Sequence, residues 1–218
     1  MDLIPTIASH LASRYASRYN HGMQNVELGE FSLERMDRAV EKVRDRLLRA
    51  TAVLEQAGVN YAVIGGHAVA AWVSRVDENL VRYTRDVDLL IRRADFERVK
   101  AAFEAAGLVS RHSGGIEMFL ESAGGKARDA VHVLFADEKV RPEDPHAAPD
   151  LVPCERTEHF RFVALESLVR MKLTSFRDKD RMHLRDLLSV GLISQSWLAQ
   201  LPADLAARLK QLIDTPNG

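Results

Sequence analysis

The 218-residue sequence has very little cysteine, few aromatic residues and no long apolar run. Its single cysteine, Cys154, excludes an internal disulfide and suits a reducing compartment. No apolar stretch approaches the roughly 20 residues that a membrane-spanning helix needs. The N-terminus also lacks the basic segment followed by an apolar segment that marks a secretory signal. We therefore expect a cytoplasmic protein with no membrane partner.

The sequence also lacks an excess of charge of either sign. It has 30 basic and 31 acidic residues, which gives a formal net charge of −1. A balance of this kind provides no global electric field that would recruit nucleic acid. With 46% hydrophobic and 28% charged residues, the composition is that of an ordinary globular protein.

The spacing of apolar residues predicts alternating helices and strands, followed by a helical C-terminal part. The predicted helices are a long one from Ser32 that ends before Gly58, and then 67–76, 95–106, 165–177, 180–190, 195–200 and 203–213. The predicted strands are 59–64, 84–91, 116–120 and 130–135. Between them and the tail, residues 136–158 contain four prolines and are expected to form an irregular loop.

This order of elements predicts the fold class and the domain organisation. We expect an α/β (α+β) fold with a small mixed β-sheet, helices packed on one side, and a helical C-terminal subdomain. The expected parts are an N-terminal helix and loop over 1–31, an α/β core over 32–140, and a loop with helices over 141–218.

The segment from Thr84 to Ile91 carries two aspartates at alternating positions. If this segment is a strand, Asp86 and Asp88 project to one face and the apolar residues between them project to the other. Two carboxylates on one face repel each other unless a cation lies between them, and such hard oxygen ligands suit Mg²⁺ or Mn²⁺. The alternative is a solvated strand end at which Arg85 and Arg92 pair with the carboxylates.

A second motif, Gly65-Gly66, lies between a predicted strand and a predicted helix. Glycine lets a ligand approach the backbone closely, and the start of a helix offers free N–H groups and a positive dipole end. The pair could therefore bind phosphate. A tight strand-to-helix turn without any ligand is the alternative interpretation.

Together, the segments Ile64–Ala68 and Thr84–Leu90 resemble the nucleotidyltransferase superfamily of the DNA polymerase β type. The sequence is most similar to small bacterial members, namely antitoxin-type minimal enzymes, abortive-infection toxins and aminoglycoside adenylyltransferases. Residues 165–187 are similar to the helical tails of such proteins.

The resemblance implies that a nucleoside monophosphate moves from a nucleoside triphosphate, with ATP expected, to an acceptor hydroxyl. It implies that Asp86 and Asp88 hold Mg²⁺ (or Mn²⁺) as catalytic metal ligands. The implied nucleotide-binding residues are Gly65, Gly66, Arg85 and Lys172. The usual serine after the first glycine is Gly66 here, so the resemblance leaves only backbone groups for phosphate at that turn. Lys172 has apolar neighbours and is expected near the cleft, although a purely structural role is the alternative.

Members of this superfamily usually add a third carboxylate from a neighbouring strand, and here His132 stands at the matching position. Alternation along the strand 130–135 puts Asp129 on the opposite side from His132. A neutral imidazole can accept a proton near pH 7 but supplies no negative charge for a second Mg²⁺. We therefore expect one metal ion to bind well and the second weakly, unless Glu117 or Glu121 reaches the site.

Three functions stay open from the sequence. The first is an active nucleotidyltransferase that modifies a small molecule, a protein hydroxyl or an RNA end. The second is a catalytically weak or inactive, antitoxin-like binding module that keeps the fold and acts through a protein partner. The third is a metal-dependent nuclease or phosphohydrolase, although the sequence shows no cluster of histidine and glutamate that would activate water. The sequence does not name the acceptor.

Overall fold

The computed structural model describes residues 32–215 of the chain. The chain divides into two units, Met1–Met36 and Asp37–Gly218, and the sheet and the site described below belong to the second unit. The helix and loop predicted over 1–31 lie outside the described residues.

Helices and strands alternate along the first part of the chain, and helices follow at the end. The α-helices are α1 (Leu33–Gln56), α2 (Gly65–Val73), α3 (Phe96–Ala105), α4 (Leu165–Ser175), α5 (Asp178–Ser189) and α6 (Ala203–Asp214). The strands are β1 (Tyr61–Ile64), β2 (Val87–Ile91), β3 (Val109–Ser113), β4 (Ile116–Leu120), β5 (Val131–Phe135), β6 (Cys154–Arg156) and β7 (Arg161–Val163). Among these described helices, none is both long enough and apolar enough to cross a membrane.

The described strands form one mixed sheet in the order β3-β4-β5-β2-β1-β7-β6. Strand β2 lies between an antiparallel neighbour, β1, and a parallel neighbour, β5. This register places Asp88 beside Ile64 on one side and beside His132 on the other. The mixed α/β architecture that the sequence predicts is therefore confirmed, and the two predicted motifs meet at its centre.

Apolar side chains explain why β1, β2 and β5 form the middle of the sheet. All four residues of β1 are buried, and so are Val87, Leu89, Leu90 and Ile91 of β2. Helix α1 buries Leu47 and Leu54, while Phe103 of α3 packs edge-on against Phe119 of β4 with ring centroids 4.7 Å apart. Burial of this kind stabilises the fold by about 25 cal/mol per Å² of apolar surface and fixes the strand that carries the aspartates.

Strands β3, β6 and β7 were not predicted from the sequence. Strand β3 reads Val-Ser-Arg-His-Ser and has no fully buried residue, so it shows no apolar alternation. Strands β6 and β7 have three residues each, too few to show a period of two. The sheet therefore extends into the segment 136–158 that the sequence assigned to a loop, because β6 lies in that segment and pairs with β7. Strand β7 in turn pairs with β1 at Phe162 and Val63.

Candidate active site

A cavity of about 490 Å³ lies where β1, β2 and β5 meet helices α4 and α5. Each residue that the sequence assigned to the site lies in its wall: Gly65, Gly66, Arg85, Asp86, Asp88, His132 and Lys172. Thr84, Lys179 and His183 also line it. The predicted residues are thus brought together, although their chemical roles stay predictions.

The turn from β1 into α2 packs directly against Asp88. Gly65 has a φ of +68°, in the left-handed region that favours glycine. A Cβ atom at Gly65 would lie only 2.2 Å from Oδ2 of Asp88. Glycine is therefore required here for both its backbone conformation and its small size, and the carboxylate lies close to the backbone of the turn.

His132 holds Asp88 from the neighbouring parallel strand. Its Nδ1 lies 3.3 Å from Oδ1 of Asp88, and its Nε2 lies 3.0 Å from the carbonyl oxygen of Ala127. Both partners can only accept a hydrogen bond, so the doubly protonated imidazolium satisfies the two contacts at once. The hydrogen bond to Asp88 raises the pKa of His132 above its usual value, despite the opposing effect of burial.

Asp88 keeps its negative charge in this environment. Burial by itself would raise the pKa of the Asp88 carboxyl. The hydrogen bond and charge of His132, together with the charges of Lys172 and Lys179, outweigh burial and lower that pKa below its ordinary value. The negative charge of Asp88 therefore lies in the cavity wall, with the cationic groups of His132, Lys172 and Lys179 around it.

Asp86 lies just before β2 and contacts helix α5. The Nζ of Lys179 lies 3.3 Å from Oδ2 of Asp86, and both side chains are partly exposed. These two residues are 93 positions apart, so no local sequence pattern could have revealed the pair. The contact places a partly exposed cationic side chain directly on the carboxylate that is predicted to bind metal.

Lys172 reaches the cavity wall from α4, but its ammonium group is already bonded. It donates a hydrogen bond of 2.9 Å to Asp180, and the side chains are only 7% and 0% exposed. Asp180 also accepts from Ser175 at 2.7 Å and from the guanidinium of Arg177 at 2.8 Å. Although burial alone would raise the pKa of Asp180, the charge of Lys172 and these hydrogen bonds hold that pKa far below its usual range.

The carboxylates that the sequence offered as replacements for the third one lie elsewhere. Asp129 is exposed in a short 3-10 helix, Glu117 pairs with His112 at 2.8 Å, and Glu121 lies 4.0 Å from Arg46. None of these three lines the cavity. His132 is the residue that lies beside Asp88 on the neighbouring strand.

The donor set is suited to a metal ion only in part. Asp86 and Asp88 offer the oxygen ligands that Mg²⁺ prefers, and a lysine and a histidine contact them in the structure, so the position attracts positive charge. Within residues 32–215, however, no three side chains of His, Cys, Asp or Glu converge as a protein-only metal site requires. A metal ion there would need ligands from water or a bound phosphate.

His183 on α5 is a buried histidine in the same wall. It is only 9% exposed, and its Nδ1 has no hydrogen-bond partner among the described residues. Burial, followed by the charge of Lys172, lowers the pKa of His183 from 6.5 to about 4. The side chain is therefore neutral at pH 7.

Stability should fall as the pH drops from about 6.5 towards 4. In that range the unfolded chain binds a proton at residue 183 and the folded chain does not, so the loss is on the order of 2–3 kcal/mol. Urea unfolding at pH 7 and pH 4.5 should show this loss in the wild type but not in His183→Gln. The surface variant His112→Gln serves as control. An unchanged pH dependence in His183→Gln would contradict the assignment.

The fold and the site together indicate the class of protein. A glycine turn between β1 and α2, packed on a strand that carries paired aspartates, is the arrangement of the nucleotidyltransferase superfamily. Comparison with known families gives the more specific assignment. Residues 46–216 match the family described as nucleotidyl transferase AbiEii toxin, type IV TA system. The chain belongs to this family, which confirms the resemblance found in the sequence. No curated protein matches the chain.

The chain is also similar to several solved structures. An antigenic nucleotidyltransferase-like protein from Paracoccidioides brasiliensis is 21% identical with a TM-score of 0.52, over 80% of this chain and 88% of that one. The antibiotic-resistance factor ANT(2'')-Ia is 12% identical with a TM-score of 0.46, over 83% and 92% of the two chains. The structure of ANT(2'')-Ia in complex with adenylyl-2''-tobramycin is 14% identical with a TM-score of 0.47, over 78% of this chain and 98% of that one. The first of these supports the shared fold.

Proposed function

We propose that the protein is a Mg²⁺-dependent nucleotidyltransferase that moves a nucleoside monophosphate from a nucleoside triphosphate, with ATP expected, to the hydroxyl of an acceptor. One observation carries this proposal. Asp86 and Asp88 line a single cavity with the Gly65-Gly66 turn, and Asp88 packs against that turn. Family membership supports nucleotide transfer in general.

The turn and the surrounding cations are suited to a triphosphate. Within residues 32–215, no side chain caps the first amides of α2, because Ile64 precedes them, and these amides can bind anionic oxygens. A nucleoside triphosphate carries about four negative charges, which requires cations in the wall. Arg85, Lys172 and Lys179 supply them. Lys179 would leave Asp86 for a phosphate when the nucleotide binds.

The two aspartates would hold the metal ion that such a transfer needs. When bound, Mg²⁺ or Mn²⁺ would neutralise phosphate charge and make the acceptor hydroxyl more acidic. In the transfer, the acceptor oxygen bonds to the α-phosphorus while the bond to the bridging oxygen breaks and pyrophosphate leaves. His132 is our candidate for the proton acceptor, and it must first lose the proton that it shares with Asp88.

A catalytically weak or inactive binding module is the second candidate. It is favoured by one observation, namely that a histidine rather than a carboxylate lies beside Asp88. In that case the protein would bind a nucleotide and act by association instead of transfer.

Substitution of His132 by aspartate tests whether a metal ion binds beside Asp88. Without metal, His132→Asp places two carboxylates side by side and should lower the melting temperature, because like charges repel. With Mn²⁺ the variant should recover stability and bind the metal more tightly than the wild type, since a third oxygen ligand is present. Calorimetry with Mn²⁺ and thermal unfolding measure both effects. His132→Asn is the neutral control, and equal metal affinity in all three proteins would contradict the placement of the metal site.

The acceptor class can be found with a nucleotide labelled at the α-phosphate. The full-length protein is incubated with Mg²⁺, the labelled nucleotide and a cell lysate, and the small-molecule, protein and RNA fractions are counted separately. We expect label in one fraction only, and none when Asp86→Asn/Asp88→Asn replaces the wild type. If the wild type binds nucleotide but labels no fraction, the binding module becomes the better proposal.

A further inference from the structure

We propose that the hydroxyl of Thr84 binds the triphosphate together with the backbone amides at the start of α2. This inference rests on the proposed function and adds a residue to the same site. The sequence left backbone groups alone for phosphate at the Gly65-Gly66 turn. The geometry points to a side-chain hydroxyl that reaches the turn from another part of the chain.

Thr84 fills the space that a side chain at position 66 would occupy. A Cβ atom at Gly66 would lie 2.6 Å from Oγ1 and 2.7 Å from Cβ of Thr84. Unlike Gly65, Gly66 is not in the left-handed region of φ, so its backbone would accept other residues. Any residue with a side chain at position 66 would collide with Thr84, so the lack of space requires glycine there.

The hydroxyl of Thr84 lies at the same glycine turn as the carboxylate of Asp88. Asp88 crowds Gly65 and Thr84 crowds Gly66, so the carboxylate and the hydroxyl flank the same two-residue turn. Thr84 is half-buried and lines the cavity. Across the described part of the chain, its hydroxyl forms no hydrogen bond with another residue. A free donor is thus held beside free amides and next to the predicted metal ligand.

A hydroxyl in this position is suited to a phosphate oxygen. A threonine hydroxyl can donate one hydrogen bond, and a bond to a charged acceptor is stronger than one between neutral groups. Threonine is β-branched and therefore restricted at χ1, so little rotational freedom is lost when the ligand binds. The donor should matter for a triphosphate and very little for a nucleoside monophosphate that does not reach the turn.

Affinity for Mg²⁺-ATP and for AMP, measured by calorimetry on the full-length protein, tests this proposal. Thr84→Val keeps the shape of the side chain and removes the donor, so ATP affinity should fall about 10- to 100-fold while AMP affinity changes little. Thr84→Ser keeps the donor and should bind ATP nearly as well as the wild type.

A double variant moves the hydroxyl to the other side of the contact. Gly66→Ser alone should lose ATP binding, because its Cβ would collide with Thr84. In Thr84→Gly/Gly66→Ser the collision is gone and a hydroxyl fills the same space, so ATP affinity should recover relative to Thr84→Gly. This recovery would support the proposal even if Thr84→Val fails to fold.

Two results would overturn the inference, and they are distinguishable. If Thr84→Val binds ATP as the wild type does while Asp88→Asn does not, the hydroxyl has no role and the proposed function still stands. If the wild type binds no nucleoside triphosphate with Mg²⁺ or Mn²⁺, the proposed function fails, and the role of Thr84 fails with it.

Discussion

Asp88→Asn is expected to reduce nucleotide transfer by at least about 100-fold, because losing a partner behind a metal ligand already costs about 10- to 100-fold. Asparagine has the same shape, so it still fits against Gly65 and still accepts a hydrogen bond from His132. What it lacks is the charge that a metal ion requires. The loss should therefore appear in metal-dependent transfer while the free energy of unfolding changes by no more than about 1 kcal/mol.

A matched control separates this effect from a general loss of charge. Asp214→Asn removes a carboxylate that pairs with Lys210 on α6 and does not line the cavity. Transfer of label from an α-labelled triphosphate should be unchanged in this control. If Asp88→Asn transferred label at the rate of the control, Asp88 would not be a metal ligand and the site would need another explanation.

Asp180→Ala is expected to destabilise the protein by about 3–5 kcal/mol, because it removes one partner of a buried ion pair. The side chain of Lys172 is 7% exposed, and its ammonium group would lose the only hydrogen-bond acceptor that it has among the described residues. The change would also free the first turn of α5, since Asp180 accepts a hydrogen bond of 3.3 Å from the backbone of Arg177. Urea unfolding at pH 7 measures the loss.

Removal of both charges should be far less costly than removal of one. In Lys172→Met/Asp180→Leu no charge is left unpaired, so much of the lost stability should return. Nucleotide affinity should not return with it, because Lys172 is one of the cations proposed to face the triphosphate. A single Asp180→Ala variant with wild-type stability would show that Lys172 is not held as a buried cation.

The core of the site could be predicted because its signals are local. Alternation placed Asp86 and Asp88 on one side of a short segment, and the Gly65-Gly66 pair lay at a strand-to-helix junction. The family resemblance pointed to His132 as the residue at the third-carboxylate position, and His132 lines the cavity in the structure. Each of these inferences needed only a few neighbouring residues.

The rest depended on contacts between distant parts of the chain. The pair of Lys179 with Asp86 depends on how α5 packs beside β2, and the position of His132 opposite Asp88 depends on a parallel register. Thr84 was part of the recognised motif but received no role, because the space above Gly66 exists only in the folded chain. Sequence patterns therefore pointed to residues that line the cavity but not to the groups that contact them.

Paired labelling tests most directly whether this cavity transfers a nucleoside monophosphate. The same protein, lysate and Mg²⁺ are incubated with ATP labelled at the α-phosphate in one sample and at the γ-phosphate in another. The proposal predicts α-label in the acceptor, an equal amount of pyrophosphate, and no γ-label in the acceptor. Transfer of the γ-label, or release of inorganic phosphate with no labelled acceptor, would contradict it and indicate phosphoryl transfer or hydrolysis instead.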